Sequence, residues 1–315
     1  DLIEHLGHIY DQEIVTFFIP HPPDYEGVTA HDFSKLSTER MERFLRKKDP
    51  ALVHVHYWGD CDEPWYTKIF DAAEKIPCKI VENVNTPVAP LIRERVDRYV
   101  YVSRYAMYFE DPIEEKSSVI YPGSDLGMFQ RNGAPIPDDA IGMVYRLEGD
   151  KLKDDSIEVF IEVVKQRPET KAYIVGGGSL LENYKNRVAS EGLSGNFSFT
   201  GYVPYEKLPA YYKKFSLFVA PVWKESFGQV SPFAMNMEIP VVGYDVGALP
   251  EILGSNECLG KDRSELVEII ISLLRDRKRR MKIGKQNKER VQRRFAVEAM
   301  VEDYRLLYTE LLQGG

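Results

Sequence analysis

Residues 217–243 constrain the fold of this 315-residue chain more than any other stretch. An apolar run at 217–222 reads as a strand, and a carboxylate, Glu225, follows its end. Ser226-Phe227-Gly228 reads as a turn, 228–237 as an apolar helix, and Pro240 leads into a second strand at 241–244. Strand, helix and strand in that order make a parallel pair, because the crossover returns the second strand in the direction of the first. Glu225 and the amides at the helix start are thereby set together at the carboxyl edge of a sheet, where open α/β sheets hold their ligands. Unpaired N–H groups at a helix start attract phosphate. The stretch reads as a carboxylate beside a diphosphate site.

The same alternation runs along the chain. Strands are expected at 14–20, 52–57, 79–81 and 99–102, with helices at 37–48, 63–75, between the last two strands and after Ser103. A second series runs 141–145, 156–165, 172–175, 180–190, 197–201, 205–214, 217–222, 228–237, 241–244 and 249–253, and helices at 263–275, 278–293 and 297–312 complete the chain. Such alternation implies doubly wound parallel sheets, and the length suits two domains. Pro122-Gly123 and the stretch 132–138 are the linker candidates. The chain starts without Met in what reads as the tail of a helix, so residues are expected before Asp1.

A hydrophobic content of 43%, with 12% aromatics, supplies two cores. The net charge of −8 argues against nucleic acid as a main partner, since a phosphate backbone needs a positive face. The charge is uneven, however: residues 275–294 carry eleven Lys or Arg against two acids. That span is either a solvated helix face or a contact for an anionic membrane surface. Cys61, Cys78 and Cys258 are odd in number and widely spaced, which favours reduced thiols in the cytosol. No run is long and apolar enough for a transmembrane helix. No metal spacing is visible, and the one Asp-x-Asp, Asp60-Cys61-Asp62, lies outside the second series.

Five motifs in one order carry a specific resemblance. Glu225-Ser226-Phe227-Gly228 resembles the Glu-Ser-Phe-Gly signature of the large bacterial family of retaining, nucleotide-sugar-dependent glycosyltransferases with the GT-B fold, the glycosyl transferases group 1. Tyr145-Arg146-Leu147 with Lys151 five residues after the Arg resembles its Gly-Arg-Leu-x-x-x-Lys. Ile174-Val175-Gly176-Gly177-Gly178 resembles its strand and glycine loop, and Phe199-Thr200-Gly201-Tyr202-Val203 its Phe-x-Gly-x-Val. Val119-Ile120-Tyr121-Pro122-Gly123-Ser124-Asp125 resembles its domain crossover. The resemblance implies an α/β protein of GT-B architecture, two facing Rossmann-like domains with a cleft between them. The acceptor-side domain would span 1–133, lacking its first strand, and the donor domain 134–294, with a helix at 295–315 crossing back.

The implied activity is metal-independent, retaining transfer of a hexose from a nucleoside diphosphate sugar to a glycan or lipid-linked acceptor, with no cofactor. Arg146 and Lys151 would stabilise the departing diphosphate and Glu225 would face the donor sugar. The amides of Ser226, Phe227, Gly228 and Gln229 would receive phosphate. Gly176, Gly177 and Gly178 would make room for the donor, and Tyr202, Val203 and Leu208 would meet the nucleobase. In the first domain His56, Asn85 and Thr86 are the acceptor-side candidates. Two positions depart from the family pattern: Val84 where it often has His, and Phe233 where it has a second Glu that holds the ribose. A ring accepts no hydrogen bond from a ribose hydroxyl, at a cost of about 1–3 kcal/mol. A degenerate, non-catalytic sugar-binding partner of another transferase is therefore the alternative. An epimerase of similar architecture ranks last, for want of acid–base side chains around the sugar.

Overall fold

The computed structural model describes residues 2–17, 28–59, 62–91 and 93–314. They divide into two units, residues 2–123 with 297–314, and residues 124–296. The break at 123/124 falls earlier than residue 133. The Pro- and Gly-rich stretch that suggested a later linker belongs to the second unit, where Arg131 holds it. Its guanidinium donates to the carbonyls of Met237 at 3.1 Å, Pro135 at 2.9 Å, Lys213 at 3.4 Å and Phe215 at 3.3 Å.

The first unit runs α1 (Leu2–Leu6), β1 (Glu13–Thr16), β2 (Thr29–Asp32), α2 (Thr38–Lys48), β3 (Leu52–Tyr57), α3 (Glu63–Ala73), β4 (Lys79–Val84), β5 (Arg98–Tyr101), α4 (Arg104–Met107) and β6 (Ser117–Val119). The strand expected at 14–20 ends at Thr16, and residues 18–27 lie outside the described residues. β1 pairs with β2, and β3-β4-β5-β6 form a second sheet, both parallel. Helix α2 shows why the local sequence folds as it does. Ser37 caps its start by accepting from the Arg40 amide at 3.2 Å, Met41 and Leu45 turn inward, and Asp49 ends it in a left-handed conformation.

The second unit runs β7 (Ala140–Val144), α5 (Glu158–Gln166), β8 (Lys171–Val175), α6 (Leu181–Ser190), β9 (Phe197–Phe199), α7 (Leu208–Tyr212), β10 (Leu217–Ala220), α8 (Val230–Asn236), β11 (Val241–Tyr244), α9 (Leu249–Leu253), β12 (Leu259–Gly260), α10 (Arg263–Arg275) and α11 (Arg277–Arg294). Every residue of β7 and β10 is buried, as strands covered on both faces require. The six strands lie in the order β9-β8-β7-β10-β11-β12, all parallel. This is the doubly wound order that reverses between its first and fourth strands, here β7 and β10. The chain leaving β7 turns to one side and the chain leaving β10 to the other.

The last helix, α12 (Val297–Gln313), packs in the first unit. Its Tyr304, Leu307 and Leu311 share a core with Leu6, Val81, Val100 and Ile120. Polar ties add to that core: His54 Nδ1 lies 2.6 Å from the Tyr308 hydroxyl, the Tyr304 hydroxyl meets Asn83 Oδ1, and Arg98 pairs with Glu310 at 2.6 Å. Among the described residues no helix is long and apolar enough to cross a membrane.

Candidate active site

At the reversal between β7 and β10 the loops that leave the two strands bring Lys151 and Glu225 together. Lys151 Nζ lies 2.7 Å from Glu225 Oε1. The Glu225 side chain is fully buried and that of Lys151 is 36% exposed, so one charge of the pair keeps its water and the other has exchanged it for an ammonium. Glu225 Oε2 is buried and has no hydrogen-bond partner. The Ala248 amide donates to the Glu225 carbonyl at 2.8 Å and so fixes its backbone. Two glycines make the placement possible. A Cβ on Gly228 would stand 2.3 Å from Glu225 Oε2, and one on Gly247, where φ is +55°, would stand 2.2 Å from its carbonyl oxygen.

Arg146 is placed differently. Its side chain is 77% exposed and pairs with Asp150 at 2.8 Å, a surface pair one helical turn apart in sequence. Lys151 is thus the cation built into the site and Arg146 the one at its rim.

Gly176, Gly177 and Gly178 pack three edge loops together. A Cβ on Gly176 would meet the Tyr145 carbonyl oxygen at 1.8 Å, and one on Gly178 the Leu147 carbonyl oxygen at 2.4 Å. The Leu147 amide donates to Gly177 at 2.9 Å and the Gly176 amide to Gly201 at 3.1 Å. Gly176 and Gly178 also take φ values of +132° and +149°, open to glycine and strained for any other residue. Beyond Gly201 the Tyr202 ring stands 82% exposed, with Val203 and Leu208 half-buried. Helix α8 begins at Val230, two residues later than the pattern suggests, so Ser226, Phe227, Gly228 and Gln229 form a turn before the helix. The Phe227 ring meets Phe295 edge-on at 5.2 Å.

Phe233 faces an aromatic cluster. It is 3% exposed and stacks on Phe129 at 3.8 Å with an interplanar angle of 5°, with Tyr205 edge-on at 5.9 Å. Motif reading overlooks two polar groups near this cluster. The Tyr145 and Ser231 hydroxyls are buried within reach of one another, and Glu225 Oε2 is buried without a partner. Burial raises the Tyr145 pKa well above its ordinary value, the Glu225 charge raises it further, and the Ser231 hydroxyl partly offsets both. A tyrosine placed directly before the motif arginine, at the end of an apolar strand, is the signal that points to this group.

The first-unit candidates are arranged around one another. Asn85 donates to the Tyr57 carbonyl at 3.2 Å and accepts from Asn83 at 2.8 Å, and the Thr86 hydroxyl donates to the Trp58 carbonyl at 3.2 Å. His56 is exposed and its ring lies 4.2 Å from that of His54. Val84 is fully buried. Sequence reading missed Glu82, also fully buried, which accepts from the Leu91 amide at 2.8 Å while its Oε2 has no partner. Burial pushes its pKa up to about 7, against smaller opposing effects of that amide and of Arg93.

The model of the family "Glycosyl transferases group 1" matches residues 128–290. The lipopolysaccharide core biosynthesis mannosyltransferase LpsB of Rhizobium meliloti (strain 1021) is 28% identical over 245 residues, covering 71% of this chain and 68% of that protein. Sucrose-phosphate synthase from Thermosynechococcus elongatus superposes with a TM-score of 0.73 at 20% identity, over 100% of this chain and 92% of that one. Anabaena HepE in complex with UDP superposes with a TM-score of 0.72 at 15% identity, over 91% and 87%. The α/β fold with its parallel sheets is that of the GT-B glycosyltransferases. With a family match over more than half its length, the chain belongs to the glycosyl transferases group 1 and is a glycosyltransferase.

Proposed function

We propose that the protein is a metal-independent, retaining hexosyltransferase that moves a sugar from a nucleoside diphosphate donor to a glycan or lipid-linked acceptor in the cytosol. The observation that carries this reading is the Lys151–Glu225 pair at the strand-order reversal, with one carboxylate oxygen to spare. A departing nucleoside diphosphate gathers negative charge, and a cation already in place stabilises that charge at the transition state. Lys151 fills that role. The exposed Arg146 joins it by leaving Asp150, and together they supply the charge that a divalent ion supplies elsewhere.

Glu225 Oε2 takes a donor-sugar hydroxyl or faces the positive charge that develops on the sugar ring. The turn amides of Ser226, Phe227, Gly228 and Gln229 receive phosphate, the loop at Gly176, Gly177 and Gly178 borders the donor, and Tyr202, Val203 and Leu208 border its base. His56, Asn85 and Thr86 serve the acceptor. The cytosolic setting is supported by Cys78 and Cys258, both buried free thiols. Lys278, Lys282, Lys285 and Arg293, exposed on α11, are assigned to an anionic membrane surface. Cosedimentation with phosphatidylglycerol vesicles and not with phosphatidylcholine vesicles tests that last assignment.

A thermal-shift panel of UDP, GDP, ADP and their sugars tests the main reading. One base series should stabilise the fold selectively, by about 2.7 kcal/mol at a hundred times its dissociation constant. Transfer from that donor should survive EDTA, and the product should keep the donor's anomeric configuration by NMR. A second reading, the non-catalytic partner, is favoured by one observation: the Phe233 ring is stacked on Phe129 and offers no polar atom. It prevails if no nucleoside diphosphate binds at millimolar concentration.

A further inference from the structure

The loops leaving β7 and β10 diverge by topology, yet Lys151 sits on one and Glu225 on the other. A salt bridge alone would hold them together only until a phosphate competes for the ammonium. Trp223, two residues before Glu225, makes a second connection. Its amide donates to the Lys151 carbonyl at 3.0 Å, and its indole Nε1 donates to the Gly149 carbonyl at 3.2 Å. The Lys153 ammonium lies 5.4 Å from the centre of its ring. One residue thus grips the loop on both sides of Asp150, from the strand end that carries Glu225. The ring is 43% exposed, more than core packing accounts for.

We infer that Trp223 is a positioning residue for diphosphate binding: it keeps the Lys151 loop in register with Glu225 when the Lys151 ammonium turns from the carboxylate to a phosphate. The inference rests on the donor site proposed above. Its chemistry is specific, because the contacts of Trp223 are to Gly149, Lys151 and Lys153, on the loop that carries the phosphate-facing cation. A loss of positioning should therefore weaken diphosphates and leave nucleosides alone, whereas a general loss of fold would weaken both.

Trp223→Phe keeps an aromatic ring and the backbone amide and removes the indole N–H, and Trp223→Ala removes the aromatic ring as well. Binding of UDP, GDP and ADP and of uridine, guanosine and adenosine is measured by calorimetry, alongside amide hydrogen exchange of residues 148–152. Trp223→Phe should weaken the preferred diphosphate about three- to tenfold, the range of one lost neutral hydrogen bond, with nucleoside affinity unchanged. Trp223→Ala should weaken it further. Exchange at 148–152 should quicken several-fold in both variants, with the rest of the unit unmoved. Unchanged diphosphate affinity, or equal loss for nucleoside and diphosphate, overturns the inference, and so does unchanged exchange at 148–152. If the wild type binds no diphosphate, the proposed function fails and the diphosphate role of Trp223 falls with it. The exchange data then decide separately whether Trp223 holds the loop.

Discussion

At the carboxyl edge of the six-stranded sheet a buried carboxylate meets a half-exposed ammonium. In and just beyond the four-stranded sheet asparagines, a threonine and a histidine bond to neighbouring backbone, to one another and to α12. Both sheets are parallel, and in both the polar groups collect toward the ends of strands. In the second unit a buried carboxylate is paired with an ammonium and one of its oxygens is unsatisfied, an arrangement that costs stability unless something binds there. In the first unit Glu82 Oε2 is likewise unpartnered, but among the described residues that group faces no ammonium as Glu225 does. Asn83, Asn85 and Thr86 are bonded within the protein, and burial lowers the His54 pKa well below its ordinary value. The contrast separates a buried ion pair with one oxygen to spare from polar groups that bond within their own unit, some of them to its last helix.

Two substitutions in the second unit press hardest on that contrast. Glu225→Gln keeps the shape and removes the charge. Transfer should fall by about a hundredfold or more, the range seen when one preorganised electrostatic group is lost, while nucleoside diphosphate affinity stays close to wild type. Steady-state kinetics and calorimetry on the same preparation check this. Full activity in the variant would remove Glu225 from the chemistry. Phe233→Glu should act on the fold instead. Its ring is stacked face to face on Phe129, so a carboxylate there loses its water and gains no partner. A loss of about 3–5 kcal/mol in urea unfolding is expected. A variant that is fully stable and binds the donor more tightly would mean that the aromatic stack is dispensable.

How much of this was legible in the chain depended on how local the cause was. The strand–turn–helix–strand reading of 217–243 is met by β10, α8 and β11, because apolar runs of these lengths and Pro240 are local signals. Lys151 and Glu225 were found because motif spacing reports on loops that meet at one sheet edge. The hold of Trp223 on Gly149 was not, since it joins residues 74 apart through a backbone carbonyl that any residue supplies. The tie of His54 to Tyr308 spans 254 residues, and no periodicity reaches so far. The unit boundary was misplaced for a related reason. Pro and Gly around 132–138 look like a linker until Arg131 is seen to fasten the segment through Pro135 to the Met237 carbonyl, while Asn236 holds the residues just before it by donating to the Leu126 and Phe129 carbonyls.

In the first unit, Glu82 provides a pH test. Its pKa of about 7 lies above the ordinary carboxyl value, so the folded state binds the proton more tightly than the unfolded chain. Stability from this group is full below about pH 4.5 and is lost as pH rises to about 7, by up to about 3 kcal/mol for a shift of this size. Glu82→Gln, which stays neutral, should gain on the wild type at pH 8 and lose that advantage at pH 5. Chemical denaturation at the two pH values reads the difference. A gap that does not change with pH would mean that Glu82 is ionised in the folded protein.

The smallest effect expected is also the one that most directly divides the two regions. Tyr308→Phe removes a hydroxyl 2.6 Å from His54 Nδ1 and leaves the ring in place, edge-on to Tyr10 at 5.7 Å. The buried imidazole then lacks its partner on Nδ1, so the cost should be about 1–2 kcal/mol of stability. Tyr304 and Asn83 remain bonded beside it and Arg98 still holds Glu310, which keeps α12 docked. Donor affinity and turnover should therefore be unchanged when measured well below the melting temperature. If the variant instead loses donor affinity or turnover while folded, the hydrogen bonds beneath α12 take part in function as well as in cohesion. The separation between the Lys151–Glu225 pair and the polar ties of α12 would then have to be given up.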